Sequence, residues 1–156
     1  MPFQRAKDSF AFAFINDMQV PVEIDHLDTW RALEKLVDLG KLKAIGLSNF
    51  NVKQLQNIYD NARIKPANHQ IECHLYWPQT EMVGLCKKLN MSVTAYSALG
   101  SRGRYAFNSN RVLPEGDPLT NPVVKKLAGK YRKTPAQISL RHLIQRGIIV
   151  IPKSVN

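Results

Sequence analysis

The chain has 156 residues, 44% of them hydrophobic and 22% charged, and a formal net charge of +10. That length supports one domain with a real core, and the mixture excludes disordered, fibrous and collagen-like chains. No apolar run approaches the roughly 20 residues of a membrane-spanning helix. The opening MPFQRAKDSFAFAF carries Asp8 and no small-residue cleavage site, which argues against a secretory leader.

The first 25 residues do not commit: FAFAFI could be a strand, and the stretch around Pro21 reads as loop. From Asp28 the punctuation is clear. Asp28 is expected to cap a helix to about Leu39, with Trp30, Leu33 and Val37 on one face and Gly40 ending it. KAIGLS (43–48) reads as a strand. Asn51 and Gln54 form a candidate capping box for a helix carrying Leu55, Ile58, Tyr59 and Ala62. HQIECH (69–74) is a second strand. Thr80 opens a helix with Met82, Leu85, Cys86 and Leu89 as its stripe, and SVTAYS (92–97) is a third strand. A long polar stretch from Ala98 to Pro118 has little periodicity, and a loop of that length within a domain is usually functional or disordered.

Asn121 and Pro122 then start a helix lined by Val123, Val124, Leu127, Ala128 and Tyr131. Thr134, Pro135 and Gln137 start another, with Leu140, Leu143 and Ile144 on its apolar face and Gly147 as its stop. The strand IIVIP comes last. Strands alternating with helices predict parallel strands joined by crossovers.

In that architecture chemistry gathers at the C-terminal strand ends. Here those ends carry Ser48 and Asn49, Gln70 and Glu72, Tyr96 and Ser97, and Lys153 and Ser154. Amides bond a carboxamide as donor and acceptor, a tyrosine face stacks on a flat ring, and lysine with serine suits a phosphate. The bland readings are a helix cap for Ser48 and Asn49, a satisfied interior amide for Gln70, a core aromatic for Tyr96 and a solvated Lys153. Their joint placement favours a nicotinamide dinucleotide. No G-x-G-x-x-G or phosphate loop is present: LGSRGR has glycines at 100 and 103 only.

His69, Cys73 and His74 invite a metal reading, but strand alternation sends His74 to the opposite face, so no metal site is expected. Cys73 and Cys86 are expected to be reduced core residues of a cytoplasmic protein. The charge is lopsided: residues 1–85 hold 9 Lys/Arg against 10 Asp/Glu, and residues 86–156 hold 13 against 2. With no nucleic-acid motif and no clustering with aromatics, that basic half reads as solvated helix faces rather than a nucleic-acid surface.

The blocks AIGLSNFN (44–51), HQIECH (69–74), TAYSALGS (94–101), KTPAQISLRHLIQRG (133–147) and VIPKS (150–154) resemble the aldo-keto reductases, in the correct order from about Asp28 onward. The resemblance implies a partial (β/α)8 TIM barrel, about the fifth to eighth strands. Residues 1–27 would be a preceding loop and 28–156 the NADP-binding half. Ser48, Asn49 and Gln70 would hold the nicotinamide carboxamide, and Tyr96 would stack on its ring. Ser97, Leu99 and Ser101 would lie along the pyrophosphate, and Lys153 and Ser154 would meet the 2′-phosphate of NADPH. The loop 98–118 would close over the cofactor. His69 stands where such proteins commonly have Asn, and Leu75 where a Pro often follows.

The family's reaction, reduction of a small aldehyde or ketone, uses an Asp, a Tyr, a Lys and a His. The Asp and Tyr normally lie five residues apart, and no Asp here has a Tyr five positions later. The expectation is therefore a fragment lacking the catalytic tetrad, inactive alone, with unpaired strand edges and an uncovered apolar face through which it self-associates. The competing expectation is a non-catalytic dinucleotide-binding module or pseudoenzyme.

Overall fold

A computed structural model describes residues 24–101 and 116–153, together with the backbone of two short strands near the N-terminus. Those two, β1 (Phe14–Ile15) and β2 (Met18–Gln19), pair antiparallel; β1 lies in FAFAFI, read as a possible strand, and β2 in the stretch read as loop.

The first helix, α1 (His26–Asp38), begins earlier than expected because Asp25, not Asp28, is its cap: the Asp25 carboxylate accepts from the Leu27 amide at 2.9 Å. Asp28 instead sits in the first turn, where an acid suits the positive end of the helix, and pairs with Arg31 at 2.9 Å. Trp30 and Glu34 turn inward and bind one residue: the indole N–H donates to the Ile64 carbonyl at 3.0 Å, and the Glu34 carboxylate accepts from the Ile64 amide at 2.8 Å.

Strand β3 (Leu47–Ser48) is short. Ahead of it a Cβ on Gly46 would lie 2.7 Å from the Asn68 carbonyl oxygen, so only glycine permits that approach. The expected capping box is present: Asn51 and Gln54 exchange bonds at 2.9 and 3.0 Å and open α2 (Val52–Asn61). Strand β4 (Asn68–Glu72) follows, then α3 (Thr80–Lys88), entered through a left-handed Gln79 at φ +51°. Strand β5 is Ser92–Tyr96.

A 3-10 turn (Pro118–Thr120) leads into α4 (Pro122–Tyr131), whose Asn121 cap is as expected. Thr134 and Gln137 form the second capping box, at the start of α5 (Pro135–Gln145); Gly147 follows at φ +79°, and β6 (Ile149–Val150) closes the order. Two expected helix faces are narrower than expected. Val124 and Ala128 are buried on α4 whereas Val123 and Tyr131 are exposed, and on α5 Leu143 is buried whereas Ile144 is exposed.

Strands β3-β4-β5-β6 pair in sequence order, all parallel, with Ser48, Gln70, Thr94 and Ile149 aligned across the sheet. Period-two alternation sorts its two faces. Leu47, His69, Ile71, Val93 and Ala95 are buried, and the apolar members among them share one core with Trp30, Leu55, Ile58, Met82, Cys86 and Leu143 from the helices. The opposite face carries Ser48, Asn68, Gln70, Glu72, Ser92, Thr94 and Tyr96. That face is mainly polar, which corrects the expected apolar one; Ile149 and Ile151 are its exposed aliphatic residues. The whole is an α/β sector in which four consecutive parallel strands form part of a barrel wall. Among the described residues no helix is long and apolar enough to cross a membrane.

Candidate functional site

Each strand delivers its last residues to the same end of the sheet, because all four run parallel. Ser48 ends β3, exposed and in register with Gln70, which is half-buried in the middle of β4. Asn49 leaves the ladder in the left-handed region at φ +58°, and its amide still donates to the Gln70 carbonyl at 3.1 Å. Tyr96 ends β5 in register with Glu72, and its hydroxyl donates to Asn49 Oδ1 at 3.0 Å. The structure thus brings Ser48, Asn49, Gln70 and Tyr96 together across three adjacent strands. The Tyr96–Asn49 bond, two strands apart, is not visible in the sequence. With Oδ1 engaged, the Asn49 amide NH2 is the donor it can offer a ligand carbonyl.

Ser97, Leu99 and Ser101 share the turn that follows β5, and all three are half-buried. Ser97 lies at φ +52°, the Gly100 amide closes the turn on the Ser97 carbonyl at 2.8 Å, and Ser101 again lies at φ +52°. Gly100 itself has φ +85°, and a Cβ there would sit 2.9 Å from the Pro118 ring. Non-glycine residues seldom occupy the left-handed region, where each costs of order 1–3 kcal/mol, and such residues cluster at ligand sites. Asn49, Ser97 and Ser101 are three of the six such residues in the described chain. Sequence reading found their side chains but not this backbone.

Beyond β6 the Ile151 amide donates to the Ala95 carbonyl at 3.3 Å, so the chain leaves the sheet beside β5 and reaches Lys153, which is exposed. Ser154 and most of the 98–118 stretch lie outside the described residues. Lys153 therefore stands at the same sheet end as the Ser48–Asn49–Gln70–Tyr96 cluster, without a described bond to it.

A cavity of about 520 Å³ opens between the residues after β3 and the entry to α3, lined by Asn49, Phe50, Glu72, Trp77, Gln79 and Tyr96 among others. Trp77 is 54% exposed there, which removes it from the core. Gln79 donates to the Glu72 carbonyl at 3.1 Å, tying two of the lining residues together. His74 lies 3.7 Å from the Glu72 carboxylate. The three residues that invited a metal reading do not converge: among the described residues no group of three or more His, Cys, Asp or Glu could hold an ion.

Burial sets the protonation of the groups beneath. Cys73 is fully buried and its thiol is pushed up by desolvation, against the opposing pull of Arg146. Cys86 is likewise raised, and both cysteines are free, as expected of core residues. His69 is fully buried and lowered to about 4 by desolvation, so its imidazole is neutral. Its Nε2 accepts from the Phe50 amide at 3.1 Å.

A model of the aldo/keto reductase family matches residues 9–156. The chain is 50% identical over 132 residues to aldo-keto reductase family 1 member A1 of Gallus gallus, covering 84% of this chain and 39% of that protein. It is 42% identical over 132 residues to the NAD(P)H-dependent D-xylose reductase of Candida tenuis, covering 85% and 41%. Its fold superposes on the aldose reductase of Schistosoma japonicum with a TM-score of 0.78 at 44% identity, covering 90% of this chain and 42% of that one. The chain thus spans about two-fifths of the length of these relatives. Fold and sequence agree, and the chain belongs to the aldo/keto reductase family.

Proposed function

We propose that this chain is the dinucleotide-binding side of an NADPH-dependent carbonyl reductase. One observation carries the reading: Asn49, Gln70 and Tyr96, from three strands, meet at one end of the sheet through the 3.1 Å and 3.0 Å bonds of Asn49. The donor set fits a nicotinamide. Ser48, Asn49 and Gln70 offer hydroxyl and amide groups to the carboxamide, and Tyr96 offers a ring face. The left-handed turn through Ser97, Leu99 and Ser101 supports a pyrophosphate path, since close approach of backbone to an anion needs such geometry. Lys153 and Ser154 are assigned to the 2′-phosphate, where a point charge favours NADPH over NADH. When bound, the cofactor supplies hydride; this chain's residues bind and orient it.

The family's Asp–Tyr pair, five residues apart, has no counterpart in this sequence, so turnover by the chain alone is not expected. Titration of the chain with NADPH, followed by quenching of Trp30 and Trp77 fluorescence, tests the reading. Saturable binding is expected, with NADPH preferred to NADH by about tenfold, the scale of one exposed charge contact. Lys153→Met is expected to abolish that preference while leaving NADH binding unchanged. Absence of binding to either cofactor overturns the assignment. NADPH oxidation with a short-chain aldehyde overturns the expected inactivity, and binding without oxidation also suits a pseudoenzyme module.

A further inference from the structure

The loop that carries Ser48 and Asn49 is held by two consecutive residues of β4. The Gln70 carbonyl takes the Asn49 amide at 3.1 Å, and the imidazole Nε2 of His69 takes the next amide, Phe50, at 3.1 Å. Gln70 faces the open side of the sheet, whereas His69 faces the core, fully buried between Leu47 of β3 and Val93 of β5 in the strand register. The Asn49 backbone, left-handed and strained, is therefore held at its own amide by the β4 backbone and at the next amide by a core-facing side chain of the same strand. The Phe50 ring is backed in turn by His26, with ring centroids 4.8 Å apart.

A backbone amide needs an acceptor, so Nε2 must carry a lone pair and the ring proton must sit on Nδ1. Burial holds the ring in that neutral state, since its pKa is lowered to about 4. The arrangement has a cost: Nδ1 is buried and has no hydrogen-bond partner among the described residues. An apolar side chain of similar size would remove that unpaired atom and add to the core. A buried, half-satisfied imidazole at this place points to a use for its satisfied half.

We infer that His69 is a positioning residue for the nicotinamide clamp: its Nε2 fixes the Phe50 amide and so holds Asn49 in the left-handed geometry that aims its amide. This rests on the cofactor assignment above, but half of its test does not. His69 touches no cofactor in this scheme; it acts through the loop.

The test uses the full 156-residue chain and two variants of matched length, His69→Met, which lacks an amide acceptor, and His69→Gln, whose Oε1 can reach the Phe50 amide. The first readout is amide hydrogen exchange in the cofactor-free protein. His69→Met is expected to speed exchange at Phe50 at least tenfold while Ile71 and Val93 stay protected, and His69→Gln to restore Phe50. The second is NADPH titration, in which His69→Met is expected to weaken binding at least tenfold and His69→Gln to recover most of it. Unchanged Phe50 exchange in His69→Met overturns the inference, as does uniform loss of protection across the sheet, which a merely structural role would give. Faster Phe50 exchange with undiminished NADPH affinity overturns it too. Failure of both variants to fold shows that ring shape, not the acceptor, is what His69 supplies, and overturns it as well. A wild-type chain that binds no NADPH is a separate result: it removes the cofactor assignment before any variant is compared, and the clamp with it.

Discussion

At the scale of single residues the site is defined by backbone as much as by side chains. Asn49 tolerates φ +58° better than most residues because its short amide can bond locally. Asn49→Gly keeps the left-handed backbone and removes the amide that meets Tyr96. Its unfolding free energy is expected to stay within about 1 kcal/mol of wild type in urea, while NADPH affinity falls about tenfold. Gly100→Ala is the converse. It must place a Cβ 2.9 Å from Pro118 at φ +85°, and a loss of about 1–3 kcal/mol is expected with all polar groups intact. His69 sets a pH dependence whose sign is fixed by its low folded pKa. Above about pH 6.5 the ring is neutral folded and unfolded; as pH falls toward 4 only the unfolded chain takes the proton, so stability is lost on acidification. The loss approaches about 3 kcal/mol at pH 4, and His69→Gln should flatten that slope in urea melts at pH 7, 5.5 and 4. His142, also lowered by burial and by Arg146, contributes in the same direction and leaves a residual slope.

At the scale of elements, the helix starts were written most plainly in the sequence. Both capping boxes and the Asn121 cap lie within three residues of their partners, so local chemistry specifies them without knowledge of the fold. Asp25 and Asp28 show where such reading stops. Both are acids near one helix start, and Leu27, half-buried against the core, decides that the helix includes it and that Asp25 caps. Asp25→Ala is expected to cost about 1 kcal/mol in thermal or urea unfolding, and Asp28→Ala distinctly less, because its pair with Arg31 is exposed. The outward Val123, Tyr131 and Ile144 were misassigned for a similar reason: helical periodicity gives a stripe, but only the sheet behind it selects which edge of the stripe is buried. At the candidate site, residue types nominated the amides, the tyrosine and the lysine. The Asn49–Tyr96 bond, the strained turns and the grip of His69 depend on strand register, which residue types alone do not contain.

At the scale of the whole molecule, the sheet of described residues ends in β3 on one side and β6 on the other, with Ile149 50% and Ile151 47% exposed on its open face. We propose that these edges and aliphatic groups bring chains together, since unpaired parallel edges template further strands. Sedimentation velocity should show the association rising with protein concentration, and Ile149→Lys with Ile151→Lys should reduce it; a strictly monomeric wild-type chain would dismiss the idea. The four strands also succeed one another in space in the order in which they are synthesised. Ser48 meets Gln70 and Gln70 meets Thr94 across one helix each, but Thr94 meets Ile149 only after more than twice that length of chain. Closing a longer loop costs more entropy and slows the search. The first three strands should therefore assemble as an early kinetic unit, with β6 and Lys153 arriving last, so a newly made chain gathers Asn49, Gln70 and Tyr96, the proposed carboxamide clamp, before Lys153, the residue proposed to tell one dinucleotide from the other.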